Sequence, residues 1–483
     1  MKRFSVRQFL LFLSILFLHS LLGSPLTTLA RNHPVGGGPG GGFGGGGPGG
    51  GGPGGGGPGG AAGGIIIDAN GVVKSFFQKG RSTPLLKKKQ VAFAKKNFST
   101  DLVAKSSLRK ISLVRLEKEI QKQLAAGKKL TNEVKYLAGL QRIDFVFVYP
   151  DKKDIVIAGL AEGFAPDPFG RAVGIYSGRP TIQLDDLLVA LRALQKGDKI
   201  GCSIDPKKER LAALEKYIKY NSNPSSTAVA QRRYFEMAQV LGMQDIKTWG
   251  VPKDSHFALT LVEADLLMKR ISMGLDPSHV RKFRTHLSML GRRGNSIQRW
   301  WFSPLYKPFQ TTNDKTVFQF NGQRAQLLSQ EEVTQMGNRS NASTTRLSTV
   351  KYAKLFTKRF PKLAKKNATF ADLQNLIDLS VLAALFKQEG LPEKVAWKME
   401  LFLDNEKLVV QKYNVPREVH SIFSYKMSGR SMVTGLVGGG VVLHPYQTLR
   451  ALEQNPEQAK GLQEKHNAAS QKETSNKHPW WWD

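Results

Sequence analysis

The sequence predicts an α+β protein: a small mixed or antiparallel sheet with packed helices, a more helical carboxy-terminal part and a disordered Gly-rich amino-terminal tract. Three observations carry that expectation. Short runs rich in Val, Ile and Phe between residues 143 and 176 are divided by Pro150-Asp151-Lys152-Lys153 and Pro166-Asp167-Pro168-Phe169-Gly170, which is the pattern of hairpins and turns. Apolar residues at helical spacing dominate after residue 346. Residues 35–64 are almost pure glycine with prolines at 39, 48, 53 and 58; a tract with no side chains to bury cannot offset its ordering entropy, and the spacing is not that of collagen.

Taken in order, Lys2, Arg3 and Arg7 precede an apolar run over residues 9–18 that continues through Leu21 and Leu22, and small residues lead to Ala30. This is the layout of a signal peptide cleaved after Ala30, and about 15 apolar residues make a helix of only ~22 Å against a hydrocarbon core of ~30 Å. Residues 31–64 follow as a tether and 65–337 as the α+β body. Within the body, Ser112 is placed to cap a helix with Leu113, Leu116, Ile120 and Leu124 on one face. Strands are expected over 143–149, 154–160 and 172–176. Asp185 and Asp186 open a helix over 187–194, residues 200–204 form a strand, and Asp205-Pro206 starts the next helix. Helices over 227–241 and 262–273 flank a strand-like 257–261, and 297–302 and 315–320 read as strands. The glycine-flanked runs at 63–68 and 438–444 read as paired edge strands.

Residues 338–345 are polar and turn-rich, the pattern of a linker. Residues 346–459 form the mostly helical part, with helices over 350–360 and 370–388, the second opened by the box Thr369-Phe370-Ala371-Asp372. Residues 460–483 are a polar tail, fraying over 460–477 and ending in Trp480-Trp481-Trp482-Asp483. Those tryptophans suit either an interfacial or carbohydrate contact or a fold back onto a groove.

Composition bounds the partners more tightly than the chemistry. Lys and Arg number 71 against 38 Asp and Glu, a formal charge of +33, which generates a potential that draws in polyanions. For an exported chain the accessible polyanions are envelope polysaccharides, anionic headgroups and extracellular nucleic acid. The single cysteine, Cys202, excludes an intrachain disulfide and reads as a small buried hydrophobe. His-Glu-x-x-His, Cys-x-x-Cys, a Walker lysine loop and Gly-x-Ser-x-Gly are all absent, so no metal or other cofactor is implied. Glu162, Asp167, Asp185, Asp186 and Asp205 are the carboxylates best placed for acid and base work on a glycan. The simpler account makes Asp185 and Asp205 helix caps, Asp167 a turn residue and Glu162 exposed. His256, His279 and His286 look isolated, the last two on a basic solvated helix.

The best binding candidates are Arg281, Arg284, Arg292, Arg293, Arg299, Trp300 and Trp301, where guanidinium groups that pair with phosphate, sulfate or carboxylate sit among rings that stack on sugars or bases.

The runs Tyr136-Leu-Ala-Gly-Leu-Gln-Arg-Ile143, Ala158-Gly-Leu-Ala-Glu-Gly163, Gly178-Arg-Pro-Thr-Ile-Gln-Leu-Asp-Asp186 and Ile200-Gly-Cys-Ser-Ile-Asp-Pro206, with Glu263-Ala-Asp-Leu-Leu-Met-Lys-Arg-Ile271, resemble secreted proteins of planctomycete bacteria that carry a domain of unknown function. The resemblance spans roughly residues 105 to 390 and implies export and bacterial origin, with no activity to carry over. The resulting expectation is an exported, non-enzymatic binding or cell-envelope-associated protein, periplasmic or extracellular, with a basic surface for an anionic polysaccharide or other polyanion. An extracytoplasmic hydrolase, with Glu162, Asp185 and Asp186 converging in one cleft, and a scaffold for protein partners are the alternatives.

Overall fold

The computed structural model describes residues 65–67, 72–76 and 83–483, apart from 198, 222, 224, 292–295, 307–308, 337, 429–430, 451, 455 and 472–477. The expected signal peptide, the tether at 31–64 and both Arg292 and Arg293 lie outside the described residues.

Two mixed sheets and the helices packed on them share one hydrophobic core, so the predicted α+β class holds. In the seven-stranded sheet, Phe145–Tyr149 and Asp154–Ala161 form the expected hairpin, closed by a turn in which Lys153 takes a φ of 52°. Alternation sends Val146, Val148, Ile155 and Ile157 into the main core and Phe145, Phe147, Tyr149 and Val156 to the opposite face. That second face is covered by Pro456–Gln471, with Leu462 and Ala469 packed on it. Both faces being buried explains why these strands read as unbroken apolar runs.

The eight-stranded sheet is ordered Asn338–Asn341, Arg324–Gln335, Ser296–Leu305, Ser431–Leu443, Ile200–Pro206, Met243–Trp249 and Glu418–His420, with Phe423–Ser428 also paired to Ser431–Leu443. Ser431–Leu443 runs parallel to Ser296–Leu305 and antiparallel to Ile200–Pro206. Its glycines permit a close approach: a Cβ at Gly439, where φ is 136°, would lie 1.6 Å from the Trp300 carbonyl oxygen.

In that core lies Ala368–Gln388, buried on every side from Thr369 to Phe386. A helix buried all round must be apolar all round. This one is long and apolar enough to cross a membrane, yet its apolar stretch is wholly covered by protein. Its few polar side chains are anchored: Asp378 accepts from Tyr306 and Arg324, and Asn375 donates to the Pro180 carbonyl.

Several expectations are corrected. Residues 338–341, expected within a linker, form a strand on Arg324–Gln335, and the strand at 431–443 inserts beside Ser296–Leu305, so the body and the carboxy-terminal part share a sheet. The run at 438–444 is central and not an edge, while Ile65–Ile67 pairs with Val73–Phe76. Residues 256–272 make one helix, because a segment buried on all sides carries no periodicity to separate strand from helix. Residues 460–471, expected to fray, lie in the helix Pro456–Gln471, and 472–477 lie outside the described residues. Asp372 caps nothing; the helix begins at Ala368 and the carboxylate faces Arg171.

Candidate functional site

The helix Leu347–Lys366 carries seven Lys or Arg and no Asp or Glu. Its apolar face, Tyr352, Ala353, Phe356, Phe360 and Leu363, is buried against the sheet and the central helix. The opposite face presents Lys351, Lys354, Lys358, Lys362, Lys365 and Lys366 to solvent. Steps of three and four residues keep these ammonium groups in one row. Lys365 and Lys366 also sit in the last turn, where positive charge complements the helix dipole.

The loop after Ser272 runs beside this helix. Asn367 Nδ2 donates to Ser278 O at 3.5 Å near one end, and the Phe283 ring lies 6.2 Å from Tyr352 and 5.9 Å from Phe356 nearer the other. Phe283 anchors the loop on the helix and leaves Arg281, Lys282 and Arg284 exposed. Among the described residues none of these loop cations, nor any lysine of the exposed helix face, forms an ion pair. Lys426, donating to Ser288 O at 3.1 Å, extends the cationic surface. Its pKa is lowered by partial burial and by Arg284. Burial, with Arg346 and Lys426 nearby, pushes His286 down to about 3.

The predicted binding set therefore divides. Arg281 and Arg284 join the ridge. Trp300 is fully buried, its ring 5.0 Å from Tyr352 and 4.9 Å from His286, so it is core and cannot stack on a ligand. Arg299 and Trp301 alternate to the other face of the strand, with the guanidinium 5.9 Å from the Trp301 ring and Asp265 near it. His286 is buried and not solvated, and His279 occupies an exposed loop position with φ 55°. The helix lysines were the missed part of the ridge; their signal was i, i+3 and i+4 spacing without an intervening acid.

The carboxylates fall into separate environments. Glu162 is buried and accepts from the Ser177 amide at 2.8 Å and the Ser177 hydroxyl at 2.7 Å. Asp167 makes the expected turn, accepting from the amides of Phe169 and Arg171. Asp185 accepts from the Gln411 amide and burial raises its pKa. Neither it nor Asp205, which lies in Ile200–Pro206, caps a helix; the caps are Gln183 and Lys207. No hydrogen bond or ion pair among the described residues joins Glu162 to Asp185 or Asp186.

Asp186 belongs instead to a buried charge cluster. His256 opens the helix His256–Ser272, and its Nδ1 lies 2.8 Å from Asp186 Oδ2; the Nε2 lies 3.1 Å from the Gln183 amide nitrogen. Two turns further along the same helix, Glu263 meets Arg171 at 2.8 Å, and Arg171 also reaches Asp372 at 2.7 Å. Burial opposes the charge on His256, but Asp186 outweighs it and raises the pKa to about 9. Burial raises Glu263 to about 7 and Asp372 to about 6 against the pull of Arg171. His256 is thus paired, not isolated. The cluster ties the helix carrying Asp186, the helix carrying His256, the central helix and the Arg171 loop together. Among the described residues no group of three His, Cys, Asp or Glu side chains is placed to hold a metal ion.

A basic ridge on a mixed α+β scaffold is thus an open, strongly charged feature of the fold. Residues 202–284, from the strand holding Cys202 to the ridge loop, match a family described as a protein of unknown function, DUF1598. No curated protein and no solved structure matches the chain.

Proposed function

We propose that this is an exported, non-enzymatic binding protein that holds an acidic polysaccharide of the cell envelope along the ridge formed by Lys351, Lys354, Lys358, Lys362, Lys365, Lys366, Arg281, Lys282 and Arg284. The observation that carries the reading is the row of exposed lysines on a helix without acids, flanked by a loop of further cations. At 1.5 Å rise per residue the row is about 22 Å long with a charge every ~5 Å. That repeat suits an extended chain bearing one carboxylate or sulfate per sugar, each met by a cation. The resemblance to secreted planctomycete proteins and the signal-like first thirty residues support the exported setting, and the glycine tract would give the body reach from the envelope.

The test is retention on a sulfated-polysaccharide column and titration with acidic oligosaccharides across a salt series. The triple variant Lys354→Glu, Lys358→Glu, Lys362→Glu should elute at much lower salt than the parent, and the charge-matched control Lys87→Glu, Lys88→Glu, Lys89→Glu, at exposed positions of the helix Pro84–Asn97, should not. Equal elution of the two variants would remove the ridge from the account. Tighter binding to single-stranded nucleic acid than to acidic oligosaccharides at matched charge would replace the polymer class.

A further inference from the structure

The last six residues behave as a ligand of the rest of the chain. Trp481–Trp482 adds as an antiparallel strand to Ser106–Ser112, pairing Trp481 with Ile111 and Trp482 with Lys110, and the Ser112 amide donates to Trp480 O at 2.9 Å. Without it, Ser106–Ser112 would be the open edge of the seven-stranded sheet. Side chains alternate into two sites, the usual grammar of strand addition, in which main-chain bonds supply affinity and pockets supply selectivity. Trp481 is 1 % exposed, stacks on His478 at 3.9 Å, lies 4.5 Å beneath the Arg109 guanidinium and donates its indole N–H to Glu133. Trp482 is 2 % exposed on the opposite face and donates to Ala469 O at 3.1 Å.

The acid at the end is read by a prebuilt receptor. Arg109 is fully buried, and its guanidinium donates to four backbone carbonyls: Ala138 at 2.7 Å, Asp101 at 2.9 Å, Leu102 at 3.2 Å and Ala104 at 3.3 Å. These belong to segments hundreds of residues away from the tail, so bonds that do not involve the tail orient the fork. Its Nε and Nη2 then grip both oxygens of Asp483 at 2.8 and 2.9 Å, a bidentate pair that a neutral side chain cannot reproduce.

We propose that the Ser106–Ser112 edge and Arg109 form a peptide-recognition site for an extended aromatic, aromatic, acidic segment, and that residues 478–483 are its resident ligand, a removable strap. The site is independent of the polymer-binding ridge.

The experiment uses the chain ending at residue 477 and a synthetic His-Pro-Trp-Trp-Trp-Asp peptide carrying a fluorophore at its amino terminus. The truncated chain is expected to bind the peptide saturably, the peptide with Asp483→Asn at least tenfold more weakly, and the full chain not to bind, because its site is filled. Should the truncated chain fail to fold alone, peptide present during refolding is expected to restore the native circular dichroism, and the Asp483→Asn peptide to do so poorly. Equal binding to full and truncated chains, indifference to Asp483→Asn, or no binding and no rescue would each overturn the proposal. Substituting the peptide and not the protein keeps the acid readout free of folding defects.

Discussion

Removing the Arg171 side chain isolates the buried charge cluster better than any other single change. In Arg171→Met the apolar volume is largely kept, while Glu263 and Asp372, 1 % and 4 % exposed, lose the guanidinium at 2.8 and 2.7 Å. Breaking a buried pair by deleting one partner costs about 3–5 kcal/mol, because a charge is left in low dielectric without compensation. The two carboxylates already sit at about 7 and about 6 with Arg171 present, and its loss moves both further up. At pH 5 both are then protonated and need no cation; at pH 8 at least one must ionise or hold a proton against solvent. Urea denaturation should accordingly give the full ~3–5 kcal/mol loss at pH 8 and a clearly smaller one at pH 5. The triple variant Arg171→Met, Glu263→Gln, Asp372→Asn should recover most of the stability at pH 8 and lose the pH dependence of the defect. A loss below about 1 kcal/mol at pH 8, or the same loss at both pH values, would refute the electrostatic reasoning.

Wild-type stability should fall between about pH 6.5 and 9: Glu263 and His256 both have native pKa values above their ordinary ones, so each contribution is complete below the ordinary value and is lost as pH rises through about 7 and about 9, whereas His286, held down at about 3, acts in the opposite sense only below about 6.5; a urea midpoint that rises between about pH 6.5 and 9 would contradict it. Trp300→Ala should cost about 3–5 kcal/mol as a large core truncation, whereas Trp300→Phe should leave polysaccharide binding unchanged; weakened binding by a folded Trp300→Phe would return that ring to the ligand site. Gly439→Ala should cost about 2–5 kcal/mol, since it combines a disfavoured φ of 136° with a Cβ driven into the Trp300 carbonyl, and a near-neutral thermal melt would mean the two strands can separate locally. Cys202 is buried and its thiol pKa is pushed up by burial, so a thiol reagent should modify it only as fast as the protein unfolds, which mass spectrometry against urea concentration checks.

Local chemistry was legible where a few adjacent residues decide the outcome. Ser112 was read as a cap, and its hydroxyl does accept from the Arg115 amide at 3.1 Å. The helix expected over 227–241 is Thr227–Leu241, and the hairpin around residue 150 stands. Arg281 and Arg284 were singled out for their charge and do lie on the ridge. The strand Ser431–Leu443 was not recognised at full length, because glycine weakens every strand signal and only contact with Trp300 explains its use here. Glu162 and His256 looked exposed or solitary, since their partners Ser177, Gln141 and Asp186 stand 15, 21 and 70 residues away.

By itself the sequence determined the mixed α+β class, the helix start capped by Ser112, the burial of Cys202 and the excess of cations, because each follows from composition or from interactions within one or two turns of chain. Tertiary structure alone decided that the lysines of Leu347–Lys366 stand beside Arg281 and Arg284, that Trp300 faces inward while Trp301 does not, and that the tail closes the edge beside Arg109. Those outcomes depend on which distant segments pair, and pairing is set by the collective burial of both sheets and the central helix, a quantity no short window of sequence contains.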